Sequence, residues 1–339
     1  MESYLLHNRL GVRFDYFFHH TSNLLTQKAF SNPIGGINLY WSNGGELQNE
    51  GFETTVTFKP VVCKDWNVEV GASMGHYKNK VTKLPQGFNK FSSIYGDNNI
   101  VTAVGQPIAL FWGYQTQGVL ADDAEARAAG KGGYLYMEDN AGIHHDFKAG
   151  DVHFTDLNGD GVIGEADKTI IGDPNPDIYG NIFATVNWKH LTLSLGFNYS
   201  LGNDVYNYQR SVLNAGSNFY NQQVAEVGRW HYEGQHTDIP RATFGDPMQN
   251  NRFSDRWIED GSYLRLKTLA LSYRVPVPGS WTWLQGLTIW AEAHNLFTVS
   301  KYLGTDPEFS AGSSVLMQGI DTGNLAQSRA FTAGLKINL

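Results

Sequence analysis

The clearest pattern in the chain is a strict alternation of apolar and polar side chains in the segment LTLSLGFNYSL, residues 191–201. Apolar residues occupy every odd position from Leu191 to Leu201, while Thr, Ser, Gly and Asn occupy the even ones. A period of two residues indicates a β-strand. Strands of soluble domains usually have about five or six residues, whereas a membrane-spanning strand needs roughly 9–11. The small polar face suits a water-filled lumen, so the pattern predicts a membrane-spanning strand.

Seven further stretches alternate in the same way, and the connections between them differ in length. The predicted strands are 8–18, 52–58, 66–74, 178–188, 262–275, 287–293 and 330–339. Short connections fall near 61–64, 189–190 and 276–285, and long ones near 19–48, 81–177, 202–261 and 298–329. Short periplasmic turns and long extracellular loops are typical of outer-membrane barrels. We therefore predict an all-β fold, an antiparallel transmembrane β-barrel segment of about eight long strands. The alternative is a large soluble β-sandwich or β-solenoid.

Several local features sharpen this prediction. The long connection 81–177 is predicted to be irregular apart from a short helix at 122–129, and 19–48 is predicted to be a polar loop. Leu264 and Leu266 fall out of phase with Leu269 and Leu271, which predicts that this end of the strand stands above the bilayer. An interfacial aromatic belt is predicted at the short-turn side, from Trp188, Tyr273, Trp281 and Trp283.

Composition excludes several classes of protein. No window of the 339 residues approaches the 18 consecutive apolar residues of a transmembrane helix. The net charge of -8 argues against nucleic acid as a partner. Cys63 is the single cysteine, so neither a disulfide framework nor a thiolate metal site is expected. The segment 1–14 does not resemble a secretory signal peptide, so we expect either no export or an N-terminus that lies further upstream.

The segment DLNGDGVIGEAD has the spacing of a calcium-binding loop. Asp156, Asn158 and Asp160 occupy positions 1, 3 and 5, and Gly161 follows where a sharp turn is needed. Val162 at position 7 would offer its backbone carbonyl, and Asp167 stands at position 12 in place of the usual Glu. The spacing predicts a structural Ca²⁺ site. The alternative is a turn stabilised by carboxylates without metal.

Other residues match chemical motifs only weakly. Ser73 lies in a G-x-S-x-G sequence, but a strand surrounds it where a nucleophile elbow needs a strand-to-helix turn. The segment 130–133 lacks the spacing of a phosphate-binding loop. His144, His145, Asp146 and His153 are chemically able to bind a metal, although ordinary polar loop residues are the simpler interpretation. No residue is predicted to be catalytic, and no cofactor is required.

Aromatic residues in the long loops are candidates for stacking on sugar rings or for packing against a lid protein. Ordinary loop packing is the alternative. These residues are Trp112, Tyr114, Tyr206, Tyr208, Phe219 and Tyr220. The segment 256–260, which includes Arg256, Trp257, Glu259 and Asp260, is interpreted as structural, at the mouth of a strand.

Five segments resemble the SusC/RagA-like TonB-dependent outer-membrane transporters, in the order in which the family has them. They are NEGFETTVTF (49–58), GQPIALFWGYQTQGVL (105–120), GDVHFTDLNGDGVIGEADKTIIGDPNPDIYG (150–180), FSDRWIEDGSYLRLKTLALSYRVP (253–276) and EAHNLFTVSKYLGTDPE (292–308). Together they span most of the chain. The resemblance implies a location in the cell outer membrane and a barrel of 22 strands plugged by an N-terminal domain.

The same resemblance implies the partners. Uptake would be powered by the TonB complex, a SusD-like surface lipoprotein would cap the mouth, and the cargo would be an oligosaccharide or a peptide. Membrane lipid would surround the barrel. Residues 1–339 would then be the C-terminal part of a receptor barrel, without the plug domain and the N-terminal strands. The alternative function is a cell-surface β-rich binding protein with a Ca-stabilised loop. An ester hydrolase that uses Ser73 is the remaining hypothesis.

Overall fold

The computed structural model describes residues 1–29, 39–85, 90–93, 98–130, 132–139, 141–278, 280 and 283–339. Most of these residues lie in strands. In chain order the strands are β1 (Glu2–Leu5), β2 (Leu10–Ala29), β3 (Leu39–Val62), β4 (Trp66–Lys83), β5 (Lys90–Ser93), β6 (Asn98–Thr102), β7 (Leu110–Tyr114), β8 (Thr116–Val119), β9 (Tyr136–Glu138), β10 (His144–Asp146), β11 (Val152–Phe154), β12 (Lys168–Gly172), β13 (Ile178–Trp188), β14 (Leu191–Leu201), β15 (Asp204–Asn207), β16 (Ile258–Asp260), β17 (Tyr263–Val275), β18 (Gly286–Ser300), β19 (Ile320–Asp321) and β20 (Ala330–Asn338). The α-helices are α1 (Asp123–Ala129) and α2 (Tyr208–Leu213).

One large antiparallel sheet dominates the structure. Its strand order is β1-β2-β3-β4-β13-β14-β17-β18-β20, which contains all eight predicted long strands and the short β1. Strands β13 and β14 pair without a register shift from Ile178 opposite Leu201 to Trp188 opposite Leu191. The prediction of an all-β, barrel-type antiparallel sheet is therefore confirmed.

The register places apolar side chains on one face of the sheet and polar ones on the other. Val186 lies opposite Leu193, and Leu193 lies opposite Leu271, so these residues share a face. Directly opposed residues share a face because strand side chains alternate. We call this apolar side the outer face. The opposite side, which carries Thr192 and Ser272, is the inner face. Apolar residues such as Leu271 are exposed on the outer face, as contact with lipid requires.

Strands β2 and β3 extend well beyond the apolar part of the sheet. They have 20 and 24 residues, and they pair as far as Ala29 opposite Leu39. The prediction of a polar loop over 19–48 was therefore wrong for most of its length, and residues 30–38 lie outside the described residues. Above the membrane a strand no longer needs an apolar face, so the alternation of hydrophobicity disappears while backbone pairing continues.

A β-bulge corrects the phase shift in β17. Leu266 lies opposite Phe197 and Thr268 lies opposite Gly196, so Lys267 is the extra residue. An extra residue in one strand reverses the direction of the side chains beyond it. Leu264 and Leu266 therefore lie on the same outer face as Leu269, and the prediction that they face the other way was wrong.

The long connections fold into a compact layer beside the long-connection end of the sheet. We call the described residues of 84–177, 202–261 and 301–329 the cap. The 84–177 segment contains β5 to β12 and α1, which corrects the prediction of a largely irregular loop. Helix α1 begins after Asp122, whose side chain accepts a hydrogen bond from the Glu125 N–H, so the predicted helix is confirmed.

Two buried apolar clusters hold the cap together. The first comprises Tyr114, Leu120, Ala126, Leu135, Met137, Phe147, Val152, Phe154, Ile163 and Met248. The second comprises Ile100, Ala109, Phe111, Tyr206, Trp257 and Ile320. The second cluster takes side chains from all three cap segments, so the loops are packed against one another.

Aromatic side chains mark the short-turn end of the sheet. Trp66 and Trp188 stack across β4 and β13 with their ring centroids 5.7 Å apart. Trp188, Tyr273 and Trp283 are all exposed, whereas Trp281 lies outside the described residues. Among the described residues, no helix is long and apolar enough to cross a membrane.

Candidate functional site on the inner face and in the cap

A polar groove runs along the inner face of the sheet. It has a volume of about 500 Å³, and most of its lining comes from inner-face residues of β3, β4, β13, β14 and β17. These include Glu53, Ser73, Tyr179, Asn181 and Asn198. The Tyr179 hydroxyl donates a hydrogen bond to the Glu53 carboxylate at 3.3 Å. Hydroxyl, amide and carboxylate groups on one wall are able to exchange hydrogen bonds with a polar solute.

Glycines let aromatic rings lie flat against this inner face. The Tyr179 ring lies over Gly75, where a Cβ atom would meet ring carbon Cζ at 2.6 Å. In the same way, the Phe183 ring covers Gly71 on the neighbouring strand. Only a residue without a side chain leaves room for these rings, so the wall stays smooth and the groove stays open.

A buried arginine ties the 301–329 segment of the cap to β17. Arg265 donates to Asp306, to Glu308 at 2.8 Å and to the Thr298 hydroxyl at 2.9 Å. Arg265 and Asp306 are only 2% and 8% exposed. Asp306 also accepts a hydrogen bond from the Gln327 N–H at 2.9 Å. The network closes the loop from both of its ends, so this part of the cap is fixed to the wall.

A second buried carboxylate joins the other two cap segments. Asp151 is fully buried and accepts two hydrogen bonds from Arg241, at 2.9 and 2.8 Å, and one from the Asn250 amide at 2.9 Å. The paired geometry is the strong bidentate form of an arginine–carboxylate contact. Thr116 adds a bond between its hydroxyl and Asp255 at 2.6 Å. Together these contacts hold 84–177 against 202–261.

The mouth of β17 contains the structural residues expected from the sequence. The Arg256 guanidinium lies 4.8 Å from the centre of the Trp257 ring and donates to the Asn250 carbonyl at 3.0 Å. Burial, together with the nearby positive charge of Arg210, lowers the pKa of Arg256 to about 10. Arg210 in turn donates to Glu259 at 3.0 Å. These side chains stabilise the cap and face no groove on the inner wall.

Acidic residues crowd the junction between the cap and the sheet. Asp204 and Asp260 lie directly opposite each other in β15 and β16. Burial raises the pKa of Asp204, and the negative charges of Asp173, Asp260 and Asp177 raise it further, although a hydrogen bond from the Asp173 N–H opposes this. The ionised form of Asp204 is therefore less favourable in the folded protein than in an exposed carboxyl group.

The predicted calcium loop is organised by its own backbone. Asp156 accepts hydrogen bonds from the N–H groups of Gly159 and Gly161 at 2.7 and 2.9 Å, and the buried Asp167 accepts from those of Leu157 and Gly164. Gly161 has a φ of +84°, which confirms the predicted sharp turn.

The remaining predicted ligands of that loop are Asn158, Asp160 and Val162. Asp160 accepts from the Asn158 amide at 2.7 Å and from the Val162 N–H at 2.8 Å. Carboxylate, amide and carbonyl oxygens suit Ca²⁺, so the donor set fits the ion. In the described part of the chain, no three His, Cys, Asp or Glu side chains form a group arranged to hold a metal. Calcium binding at this loop stays a prediction.

The structure places the residues of the weaker sequence motifs in different elements. Ser73 lies within β4, where its register partners are Thr55 and Asn181. His144 pairs with Asp146 at 2.8 Å and His145 with Asp139 at 3.2 Å, both in the β9–β10 hairpin. Burial lowers the pKa of His153, which lies in β11. Lys131 of the glycine-rich segment lies outside the described residues.

Five of the six loop aromatics divide into two groups, and the sixth, Trp112, is half-buried in β7. Tyr114 and Tyr206 are buried in the two apolar clusters of the cap, and Tyr208 packs against the second of them. Phe219 and Tyr220 are instead 93% and 79% exposed. Ordinary loop packing therefore accounts for the first group and leaves the second unexplained.

Sequence reasoning did not identify the groove residues or the Arg265 network. The alternation places Glu53, Asn181 and Asn198 on the polar side of their strands, but it does not show that these strands are neighbours. The pairing of β3, β4, β13 and β14 brings them together. The partners of Arg265 lie 41 and 43 residues away in an irregular loop, so no local pattern reveals them.

An antiparallel sheet with an apolar outer face, a polar inner face and a folded cap defines a section of a transmembrane β-barrel wall. No family model matches the chain. Among curated proteins it is 30% identical over 348 residues to TonB-dependent receptor P3 of Formosa agariphila, covering 98% of this chain and 33% of that protein. It is 27% identical over 354 residues to TonB-dependent receptor SusC of Bacteroides thetaiotaomicron, covering 98% of this chain and 30% of that protein.

Solved structures show the same fold. The structure of the RagAB peptide transporter superposes with a TM-score of 0.76 at 24% identity, covering 99% of this chain and 34% of the matched one. The chain resembles the SusC/RagA-like TonB-dependent receptors over nearly its whole length. It spans about a third of the length of the relatives that it matches.

Proposed function

We propose that this chain forms part of the wall of an outer-membrane transporter that imports a nutrient by a TonB-dependent mechanism. The observation that carries the proposal is the difference in polarity between the two faces of the large sheet. Its outer face would present apolar side chains to lipid, and its inner face presents mainly polar side chains with a groove of about 500 Å³. The relatives named TonB-dependent receptors support the energy source.

The proposal assigns residues 1–339 to the C-terminal part of a larger barrel, whose plug and remaining strands would belong to the rest of the protein. The cap would lie on the extracellular side, because long loops face outward in such barrels. A SusD-like surface lipoprotein would cap the extracellular mouth of the barrel. The cargo would be an oligosaccharide or a peptide, in keeping with the polar groups of the groove.

Transport along the inner face of this wall would neither form nor break a covalent bond of the cargo. Asn181, Asn198, Ser73 and Tyr179 offer donors and acceptors that replace the water around a polar cargo. Each such hydrogen bond contributes only about 0.5–1.5 kcal/mol net, so cargo would be guided along the wall without being trapped. The fixed cap would serve as a rigid rim of the entrance.

The test compares two adjacent residues of β13 in the full-length transporter. Asn181→Trp fills the inner groove, whereas Ile182→Trp places the same side chain in lipid. We expect uptake of the cargo by intact cells to fall at least about tenfold for Asn181→Trp only. The tryptophan at position 181 would narrow the path of the cargo, whereas the one at position 182 would lie outside the lumen. Immunoblots of outer membranes control for the amount of protein.

Two results would contradict the proposal. Equal uptake by both variants would show that the groove is not on the path. Purification of the wild-type protein from the soluble fraction without detergent would instead favour the cell-surface binding protein.

A further inference from the structure

A second cavity lies on the outer surface of the cap, away from the inner-face groove. It is a cleft of about 420 Å³ between residues 216–222 and 242–244. A backbone hydrogen bond from Gly245 to the Ser217 carbonyl, at 2.8 Å, joins its two sides. The lining consists of Gly216, Ser217, Asn218, Phe219, Tyr220, Gln222, Arg229, Ala242 and Phe244.

The cleft carries a pair of aromatic rings that water surrounds. Phe219 and Phe244 are 93% and 73% exposed, and their ring centroids lie 5.2 Å apart at an angle of 30°. Neither ring belongs to the two apolar clusters that stabilise the cap. Burying an aromatic side chain away from water is favourable, so two adjacent exposed rings point to a surface that is covered when a ligand binds.

The other side chains of the cleft suit a ligand rich in hydroxyl groups. Asn218, Gln222 and Arg229 are planar, and the amides carry a donor and an acceptor side by side. Such groups match neighbouring hydroxyls of a sugar ring, whose C–H face matches an aromatic ring. Tyr220 lies beside them and adds a hydroxyl.

The charge of the cleft favours a neutral ligand. Arg229 donates to the Glu226 carbonyl at 3.2 Å, and the buried Glu226 carboxyl lies just behind Gly216, where a Cβ atom would be 3.6 Å from Oε2. The opposite charges of Arg229 and Glu226 offset each other at short range. A strongly anionic or cationic ligand would therefore gain little from this site.

The backbone around the cleft argues against a peptide. Residues 216–222 and 242–244 belong to none of the strands in the described part of the chain. A peptide that binds by strand addition needs a free strand edge. The cleft is also shallow, and it has no enclosed apolar pocket of the kind that anchors a peptide side chain.

We propose that this cleft binds a neutral oligosaccharide, with Phe219 and Phe244 stacking on sugar rings. This proposal goes further than the import function. It rests on that function only for the biological role of the cleft, which would be to collect glycans at the entrance of the transporter. Binding itself requires neither TonB nor an open lumen.

The experiment measures binding to the full-length transporter purified in detergent. An array of neutral oligosaccharides is screened first, and the best binder is then titrated by calorimetry. The variant is Phe219→Ala/Phe244→Ala. The matched control is Val224→Ala/Val227→Ala, which removes two side chains of the same cap segment that are 88% and 75% exposed and do not line the cleft. We expect at least about 30-fold weaker binding for the phenylalanine variant only, the scale of an interface hot spot.

Three results would overturn the proposal. They are failure to bind any neutral glycan, equal weakening by both double variants, and loss of a co-purifying surface protein from the phenylalanine variant with glycan binding intact. The last would identify a protein docking site. These results are distinguishable from failure of the import proposal. If the protein binds glycan but Asn181→Trp does not reduce uptake, the cleft remains a glycan site and only the import proposal fails.

Discussion

Replacing Arg265 with methionine tests whether the buried ion network fixes the cap to the barrel wall. The change keeps an apolar stem of similar length and removes the guanidinium. Asp306 is then left as a buried carboxylate whose remaining donors among the described residues are the N–H groups of Glu308 and Gln327.

The size of the effect follows from burial. Removing one partner of a buried ion pair costs about 3–5 kcal/mol, because the other charge remains away from water. Glu308 is one-third exposed and adds little. At about 1.4 kcal/mol per factor of ten, the population in which 301–329 is detached should rise roughly 100- to 1000-fold or more.

Hydrogen exchange measured by mass spectrometry reports this population directly. Peptides from 301–329 should exchange faster by that factor in Arg265→Met, while β13 and β14 should be unchanged, since local opening controls exchange. The double variant Arg265→Met/Asp306→Leu should restore most of the protection, because it removes both charges.

Arg13→Met is the matched control, since the Arg13–Asp15 pair at 2.8 Å is 67% and 43% exposed. Exposed pairs contribute little, so less than about a threefold change is expected there. A change of less than about threefold in Arg265→Met would refute the view that the network holds the cap.

Three further outcomes follow from the structure. Gly71→Val should destabilise the barrel by about 1–3 kcal/mol because its side chain collides with Phe183, and adding Phe183→Ala should restore the unfolding temperature seen by heat-modifiability on gels. Asp204→Asn should raise the unfolding temperature at about pH 8, because the ionised Asp204 destabilises the folded protein there. The gain should vanish as the pH falls below about 3.9, where the wild-type Asp204 is protonated in both the folded and the unfolded protein. Ca²⁺ should raise the thermal resistance of the wild type but not of Asp160→Ala, and a chelator should remove the difference; equal responses would rule out the calcium loop.

The alternation of side chains predicted the eight long strands because the membrane imposes it. Every second residue of β14 lies on the apolar outer face, so the sequence between Leu191 and Leu201 has almost no freedom on that face. The same reasoning failed for β2 and β3 above the membrane. There the backbone still pairs, but water accepts any polar side chain on either face.

Two other features depend on contacts that no local pattern reveals. The bulge at Lys267 changes the face of Leu264 and Leu266, and it is visible only from the pairing with the neighbouring strands β14 and β18. The cap needs Asp151 to meet Arg241 across 90 residues, with Asn250 beside them. The sequence indicated only an irregular connection with one short helix over 81–177, since its apolar residues follow neither a sustained helical nor a strand period.

The central claim is that one face of the sheet contacts lipid and the other contacts water. Single cysteines at Leu193 and Thr192, in a full-length transporter that carries Cys63→Ser, place a nitroxide spin label on opposite faces of β14. Spin-label relaxation in the membrane should show high accessibility to oxygen at position 193 and to a water-soluble nickel complex at position 192. Equal accessibility to the nickel complex at both positions would contradict the account.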